Sequence, residues 1–139
     1  MSSRTPIVAG NWKLNLTLAQ SAALAAALRD AGAARGGREV VVAPVFMAID
    51  AVARTLRGSD IKVAAQDVYW EEQGAFTGEV SASLLFDAGA TAVIVGHSER
   101  RQLFGEMDEA VNRKTLAVLR AGLLPIVCVG ETLADADDR

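Results

Sequence analysis

The single histidine of the chain, His97, follows Gly96 at the end of the apolar run Ala92–Val95, and three other apolar runs also end in polar groups. Ile7–Trp12 leads into Lys13, with Asn11 two residues before it. Ile61–Ala65 leads into Gln66 and Asp67, and Leu124–Val129 into Gly130 and Glu131. An imidazole can donate or accept a proton near neutral pH, and a lysine ammonium can hold an anion. Side chains alternate along a strand, so Asn11 and Lys13 leave on one face and Trp12 on the other. Polar groups gathered at one rim of a sheet are what a small-molecule site needs.

Taken singly, each of these residues has a plainer reading. Lys13 reads as a solvated strand-end lysine, Asn11 as a turn former and His97 as a helix-cap or surface histidine. Trp12 and Trp70 read as packing residues, and Cys128 as a small buried hydrophobe. Ser98 beside His97 is no hydrolase signal, because adjacent strand residues point apart and the G-x-S-x-G elbow is missing. One histidine and one cysteine make a zinc site a poor expectation. No G-x-G-x-x-G or G-x-x-x-x-G-K-[ST] follows a strand, so the usual phosphate-cradling loops are absent.

The elements that position these groups are legible from periodicity. Apolar runs rich in β-branched residues recur at Ile7–Trp12, Val40–Ala43, Ile61–Ala65, Ala92–Val95 and Leu124–Val129. They are continuous, as expected of strands covered on both faces. Between them, Leu24, Ala27, Leu28 and Ala31 follow the spacing of one buried helix face, with Thr17 and Gln20 as a capping box. Met107, Val111, Val118 and Leu119 form a comparable stripe closed by Gly122. Gly32 and Gly89 punctuate the earlier helices in the same way. Strand and helix alternating at roughly thirty-residue intervals give an α/β fold with a parallel sheet. Periodicity leaves open whether the strands form a doubly wound sheet or part of a closed barrel, and in both the chemistry gathers at the carboxyl ends of the strands.

Composition narrows the class. The 139 residues suit one domain spanning 1–139, and 51% hydrophobic with 22% charged residues predicts a packed core. A formal net charge of −3 argues against a nucleic-acid surface. One cysteine points to a reducing compartment, and no apolar run approaches the ~18 residues of a membrane span. The amino terminus lacks a signal-peptide core. A cytoplasmic protein with no membrane partner is the expectation.

Four segments together carry a resemblance. "AGNWKLN" at 9–15, "GAFTGEVS" at 74–81, "VGHSERR" at 95–101 and "PIVCVGETL" at 125–133 resemble the triosephosphate isomerase family in order and spacing, from about Ile7 to Leu133. Departures are small: Leu14 where methionine is common, and Asp67 where asparagine is usual. The resemblance implies the parallel βα repeats of a TIM (β/α)8 barrel, and the interconversion of dihydroxyacetone phosphate and D-glyceraldehyde 3-phosphate through an enediolate, with no metal or organic cofactor. It implies that Asn11 and Lys13 bind substrate, Lys13 holding the phosphate charge and helping the developing oxyanion. It makes His97 the electrophile. That family is the standard example of an imidazole kept neutral by a helix N-terminus, here the "SERR" segment. Glu99 resembles the residue that contacts the lysine, Gln66 a neighbour supporting the site, and the loop 74–79, with Thr77 near its tip, the arm of a homodimer.

Length sets the limit of the resemblance. Such a barrel takes ~250 residues, and this chain stops after the apparent fifth strand. The family's general-base glutamate, closing lid and later phosphate loops lie beyond that point, and Glu131 does not match the base's motif. The expectation is a half-barrel truncated after about the fifth strand and essentially inactive alone. Two rivals stand beside it: a flavodoxin-like module binding a nucleotide or flavin, and a non-catalytic half-barrel that assembles through its open strand edges.

Overall fold

Five strands lie parallel in the order in which the chain makes them: β1 (Ile7–Asn11), β2 (Glu39–Ala43), β3 (Lys62–Ala65), β4 (Ala92–Val95) and β5 (Leu124–Val127). The computed structural model describes residues 4–137. β1 runs beside β2 with Ile7 opposite Glu39 and Asn11 opposite Ala43, and β4 beside β5 with Ala92 opposite Leu124 and Val95 opposite Val127. A doubly wound sheet reverses its strand order at a switch point, and that reversal creates its ligand crevice. This sheet has no reversal, so the flavodoxin-like reading is excluded. Five sequential parallel strands make an open half-barrel, with β1 and β5 each paired on one side among the described residues.

Strand alternation sorts the core into two layers. Val40, Val42, Val63, Ala65, Val93 and Val95 pack outward against the helices. Val41, Ala43, Ala64, Ala92 and Ile94 pack on the other face, with Ile126 and Cys128 against them. Register places Ala9 beside Val41 and Asn11 beside Ala43, so Asn11 belongs to this second, inner layer. Burial on both faces holds for β2, β3 and β4. The expectation of covered faces fails at the two open edges: β1 leaves Ile7 and Val8 48% and 56% exposed, and β5 is only partly covered.

The helices are α1 (Leu18–Asp30), α2 (Ile49–Thr55), α3 (Ala82–Asp87), α4 (Ser98–Leu103), α5 (Asp108–Arg120) and α6 (Leu133–Asp137). The capping box forms: Thr17 Oγ1 accepts from Gln20 N–H at 3.3 Å and Gln20 Oε1 from Thr17 N–H at 2.9 Å. Gly32, Gly89 and Gly122 each follow a helix end with positive φ, and at Gly89 (φ +104°) an added Cβ would lie 2.5 Å from that of Ala53.

Both expected helix faces need correcting. In α1 the fully buried residues are Ser21 and Ala25, with Leu28 packed at the margin, while Leu24 is 39% exposed and Ala27 is exposed. The segment is so rich in alanine that apolar residues occupy every side, and the small pair Ser21 and Ala25 takes the side packed into the core. In α5 the buried residues are Val111, Lys114, Ala117 and Val118, whereas Met107 and Leu119 are 73% and 55% exposed. Lys114 takes a core position because ion partners wait for it there. Trp12 packs against the outer core cluster, and Trp70 lies against Tyr69 and under the Arg113 guanidinium.

Candidate active site

The end of β1 is strained, and the strain is held by side-chain amides. Lys13 has φ +54°, a left-handed conformation that costs a non-glycine residue roughly 1–2 kcal/mol. Asn11 Oδ1 accepts the Lys13 N–H at 3.0 Å. Gln66, just past β3, donates through Nε2 to the carbonyls of Lys13 and Ala43, each at 2.9 Å. Asn15 Nδ2 donates to the carbonyl of Trp12 at 2.8 Å. Hydrogen bonds of about 1 kcal/mol each are enough to offset the strain. The strained turn sends the Lys13 ammonium toward α4, where it meets Glu99 Oε1 at 2.7 Å. That hydrogen bond is the main reason the Glu99 carboxyl lies below its ordinary pKa; partial burial opposes it, and the Lys13 charge adds to it.

His97 sits where β4 turns into α4. Gly96, at φ +72°, makes the turn, and His97 is the N-cap of α4. Its Nδ1 accepts the backbone N–H of Glu99 at 3.2 Å. Glu99 Oε2 lies 3.6 Å from the same nitrogen, beyond hydrogen-bond range, and that carboxylate is engaged with Lys13. A backbone N–H can only donate, so Nδ1 carries its lone pair and the ring proton sits on Nε2. The helix-cap reading of His97 is met, and this cap leaves Nε2–H as the donor of the ring.

The structure brings Asn11, Lys13, Gln66, His97 and Glu99 to one rim. Thr77 lies apart, in an exposed segment spanning 71–79. The base of that segment is pinned by Tyr69 N–H donating to Val80 O at 2.9 Å, with the Phe76 ring 4.8 Å from that of Tyr69. His97 lines a cleft of about 610 Å³ with Arg101, Cys128 and Glu131. Burial pushes the Cys128 thiol up, with the Arg101 charge opposing, which suits a packing residue. A second cleft, about 580 Å³, opens at the amino ends of β2 and β3; it contains the Lys62–Glu39 ion pair and none of the rim residues. Among the described residues, no group of three or more His, Cys, Asp or Glu side chains is placed to hold a metal ion, and no helix is long and apolar enough to cross a membrane.

Sequence reasoning missed an ion cluster behind the rim. Lys114 Nζ contacts Asp67 Oδ1 at 2.8 Å and also Glu106 Oε1, and Arg100 Nε contacts Asp67 Oδ2 at 3.0 Å. Asp67 follows Gln66 and Arg100 follows Glu99, so this cluster backs both residues that support Lys13. The adjacency is visible in the sequence, but nothing local signals Lys114, 47 positions from Asp67.

The triosephosphate isomerase family model matches residues 6–139. The triosephosphate isomerase of Pelobacter propionicus is 58% identical over 136 residues, which cover 98% of this chain and 54% of that protein. That of Trichlorobacter lovleyi is 57% identical over 134 residues, covering 96% and 53%. Among solved structures, the crystal structure of triosephosphate isomerase from Bartonella henselae superposes with a TM-score of 0.87 at 37% identity, over 97% of this chain and 56% of that one. The chain spans about half the length of the curated relatives it matches. With sequential parallel strands, a capped histidine at the end of the fourth and a lysine at the end of the first, it belongs to the triosephosphate isomerase family.

Proposed function

We propose that this chain supplies the electrophilic and anion-binding part of a site that interconverts dihydroxyacetone phosphate and D-glyceraldehyde 3-phosphate. His97 Nε2–H donates to the substrate carbonyl and strengthens that bond as the oxygen becomes an enediolate oxyanion. Lys13 holds the phosphate charge and adds to the field at the oxyanion. Glu99 positions the ammonium, while Asn11 and Gln66 hold the backbone turn that carries it. The acceptor of the carbon-bound proton is assigned to no residue of this chain. What supports the reading above all is the Glu99 N–H to His97 Nδ1 bond, because it selects the tautomer this chemistry needs.

The test is the imidazole nitrogen spectrum of the sole histidine during titration with dihydroxyacetone phosphate, beside an isomerisation assay. Binding at the rim moves the Nε2 resonance, and Lys13→Ala removes the response; an unmoved resonance at saturating substrate overturns the reading. Turnover of the 139-residue chain is expected at background and equal in Lys13→Ala, since a contaminating isomerase is indifferent to that substitution. Activity abolished by Lys13→Ala would instead show that a group within this chain acts as base.

The homodimer contact belongs, in this reading, to the loop 74–79. Its support is that the segment is exposed, with Thr77 at its tip, while its base is pinned. Light scattering of Thr77→Arg tests it: loss of dimer mass is expected, and an unchanged mass refutes the contact.

A further inference from the structure

Arg101 is the remaining charged residue of the "HSERR" segment, and its guanidinium reaches back across the turn that carries His97. Nε donates to the carbonyl of Gly96 at 2.8 Å, Nη2 to the carbonyl of Cys128 at 3.4 Å, and Nη1 pairs with Asp108 Oδ1 at 2.6 Å. The first two are carbonyls at the carboxyl ends of neighbouring strands, and Gly96 O belongs to the peptide that leads directly into His97. The third anchors the guanidinium to the first residue of α5. Arg101 thus spans the space between β4 and β5 and lines the cleft beside the imidazole.

The peptide between Gly96 and His97 needs such a restraint. On its far side, the His97 carbonyl accepts the N–H groups of Arg100 at 2.9 Å and Arg101 at 3.2 Å, as any helix start provides. On its near side stands a glycine at φ +72°, a residue with no Cβ to oppose rotation. A Cβ there would lie 3.0 Å from Arg101 Nη2 and 2.9 Å from Val111 Cγ1, so the missing side chain is what lets the guanidinium approach. The side chain of Arg101 therefore holds a peptide plane that local sterics leave loose. The 3.2 Å hydrogen bond that fixes the imidazole depends on the direction of that plane.

We propose that Arg101, anchored by Asp108, is a positioning residue: by holding the Gly96 carbonyl it aligns His97 so that Nδ1 accepts from Glu99 and the ring proton stays on Nε2. This rests on the proposed role of His97 and extends it to a group that touches no reacting atom. Lysine is not equivalent here, since one ammonium cannot reach two carbonyls and a carboxylate in the fork geometry of a guanidinium.

The chain contains one histidine, so ¹⁵N imidazole spectroscopy reads this directly. In the wild type, the two ring nitrogens give well-separated signals, with Nδ1 unprotonated and Nε2 protonated. In folded Arg101→Ala, they move toward each other as the tautomers mix, and Arg101→Lys recovers part of the separation. Loss of general packing alone would lower stability without mixing the tautomers. Asp108 is 95% exposed, so Asp108→Ala leaves the core intact and moves the signals in the same direction by less. It serves as the test should Arg101→Ala not fold. A wild-type nitrogen pair in folded Arg101→Ala, or in Asp108→Ala where the former is unfolded, overturns the proposal while leaving the role of His97 standing. A wild-type protein already in the other tautomer removes the role of His97, and the proposal falls with it.

Discussion

Lys13 Nζ and Glu99 Oε1 are 2.7 Å apart and 86 positions apart in sequence, one at the end of the first strand and the other in the first turn of α4. The same Glu99 donates its backbone N–H to His97. One residue therefore sets the position of the ammonium with its side chain and the tautomer of the imidazole with its main chain. Replacing Glu99 by glutamine keeps the backbone bond and removes the charge, so Glu99→Gln should leave the His97 nitrogen spectrum unchanged while weakening binding of dihydroxyacetone phosphate. Altered imidazole signals would show that the carboxylate itself acts on the ring.

The pH dependence of this pair has a definite sign. Because the Lys13 hydrogen bond holds the Glu99 carboxyl below its ordinary 4.5, the pair contributes stability that is present above that value and lost as pH falls through the lowered one. Lys13→Met should return the Glu99 carboxyl toward 4.5, seen by carboxyl ¹³C titration. The stability gap between Lys13→Met and wild type in urea should narrow in acid. Both side chains are about half exposed, so the gap is small and should shrink further with salt.

The left-handed turn at Lys13 can be isolated from its charge. Lys13→Gly and Lys13→Ala both delete the ammonium, but only glycine relieves the conformation at φ +54°. Relief of about 1–2 kcal/mol, less the extra entropy glycine has in the unfolded chain, leaves Lys13→Gly more stable than Lys13→Ala by about 0.5–1 kcal/mol in urea titration. Equal stabilities would mean that the amide hydrogen bonds, rather than the turn, set the energy of this position.

The cluster behind the rim is the most costly place to remove one charge. Lys114 is 5% exposed, and Asp67 and Glu106 both depend on it. Lys114→Met leaves two carboxylates competing for Arg100, and a cost of about 3–5 kcal/mol in urea unfolding is expected. Adding Glu106→Leu should restore a large part of it. Glu106 Oε2 is buried without a hydrogen-bond partner among the described residues, so that acid contributes less than its burial costs once its cation is gone.

Much of this was legible in the sequence, for a physical reason. The strands leave continuous apolar runs, in β2, β3 and β4 because both faces are covered and in β1 although its edge is exposed, and the groups they deliver, Asn11, Lys13, Gln66 and His97, stand directly at their ends. The capping box of Thr17 and Gln20 is equally local. What was not legible depends on contacts between distant segments. The alanine-rich α1 has no single apolar stripe, so its buried face at Ser21 and Ala25 is chosen by the core it meets. Lys114 reads as a surface lysine until the chain brings Asp67 and Glu106 beside it. Arg101 was visible in "HSERR", but its work is done on carbonyl groups, which no residue type records.

Gly96 offers a direct check on how tightly the imidazole turn is built, with Gly122 as its control. Both have φ near +72° to +75°, so alanine costs each about 1–2 kcal/mol of conformational strain. At Gly122 an added Cβ meets nothing within 4 Å, whereas at Gly96 it lies 2.9 Å from Val111 Cγ1 and 3.0 Å from Arg101 Nη2. Overpacking at Gly96 should add about 1–3 kcal/mol, making Gly96→Ala the more damaging of the two by that margin in urea unfolding. Val111 is held in the core by β4 and α5, so the guanidinium is the partner able to move. Gly96→Ala should therefore displace Arg101 and mix the His97 tautomers, while Gly122→Ala leaves the imidazole spectrum as in the wild type. If both variants lose stability equally, the turn has slack that these distances do not show, and the close approach of Arg101 is not what holds it.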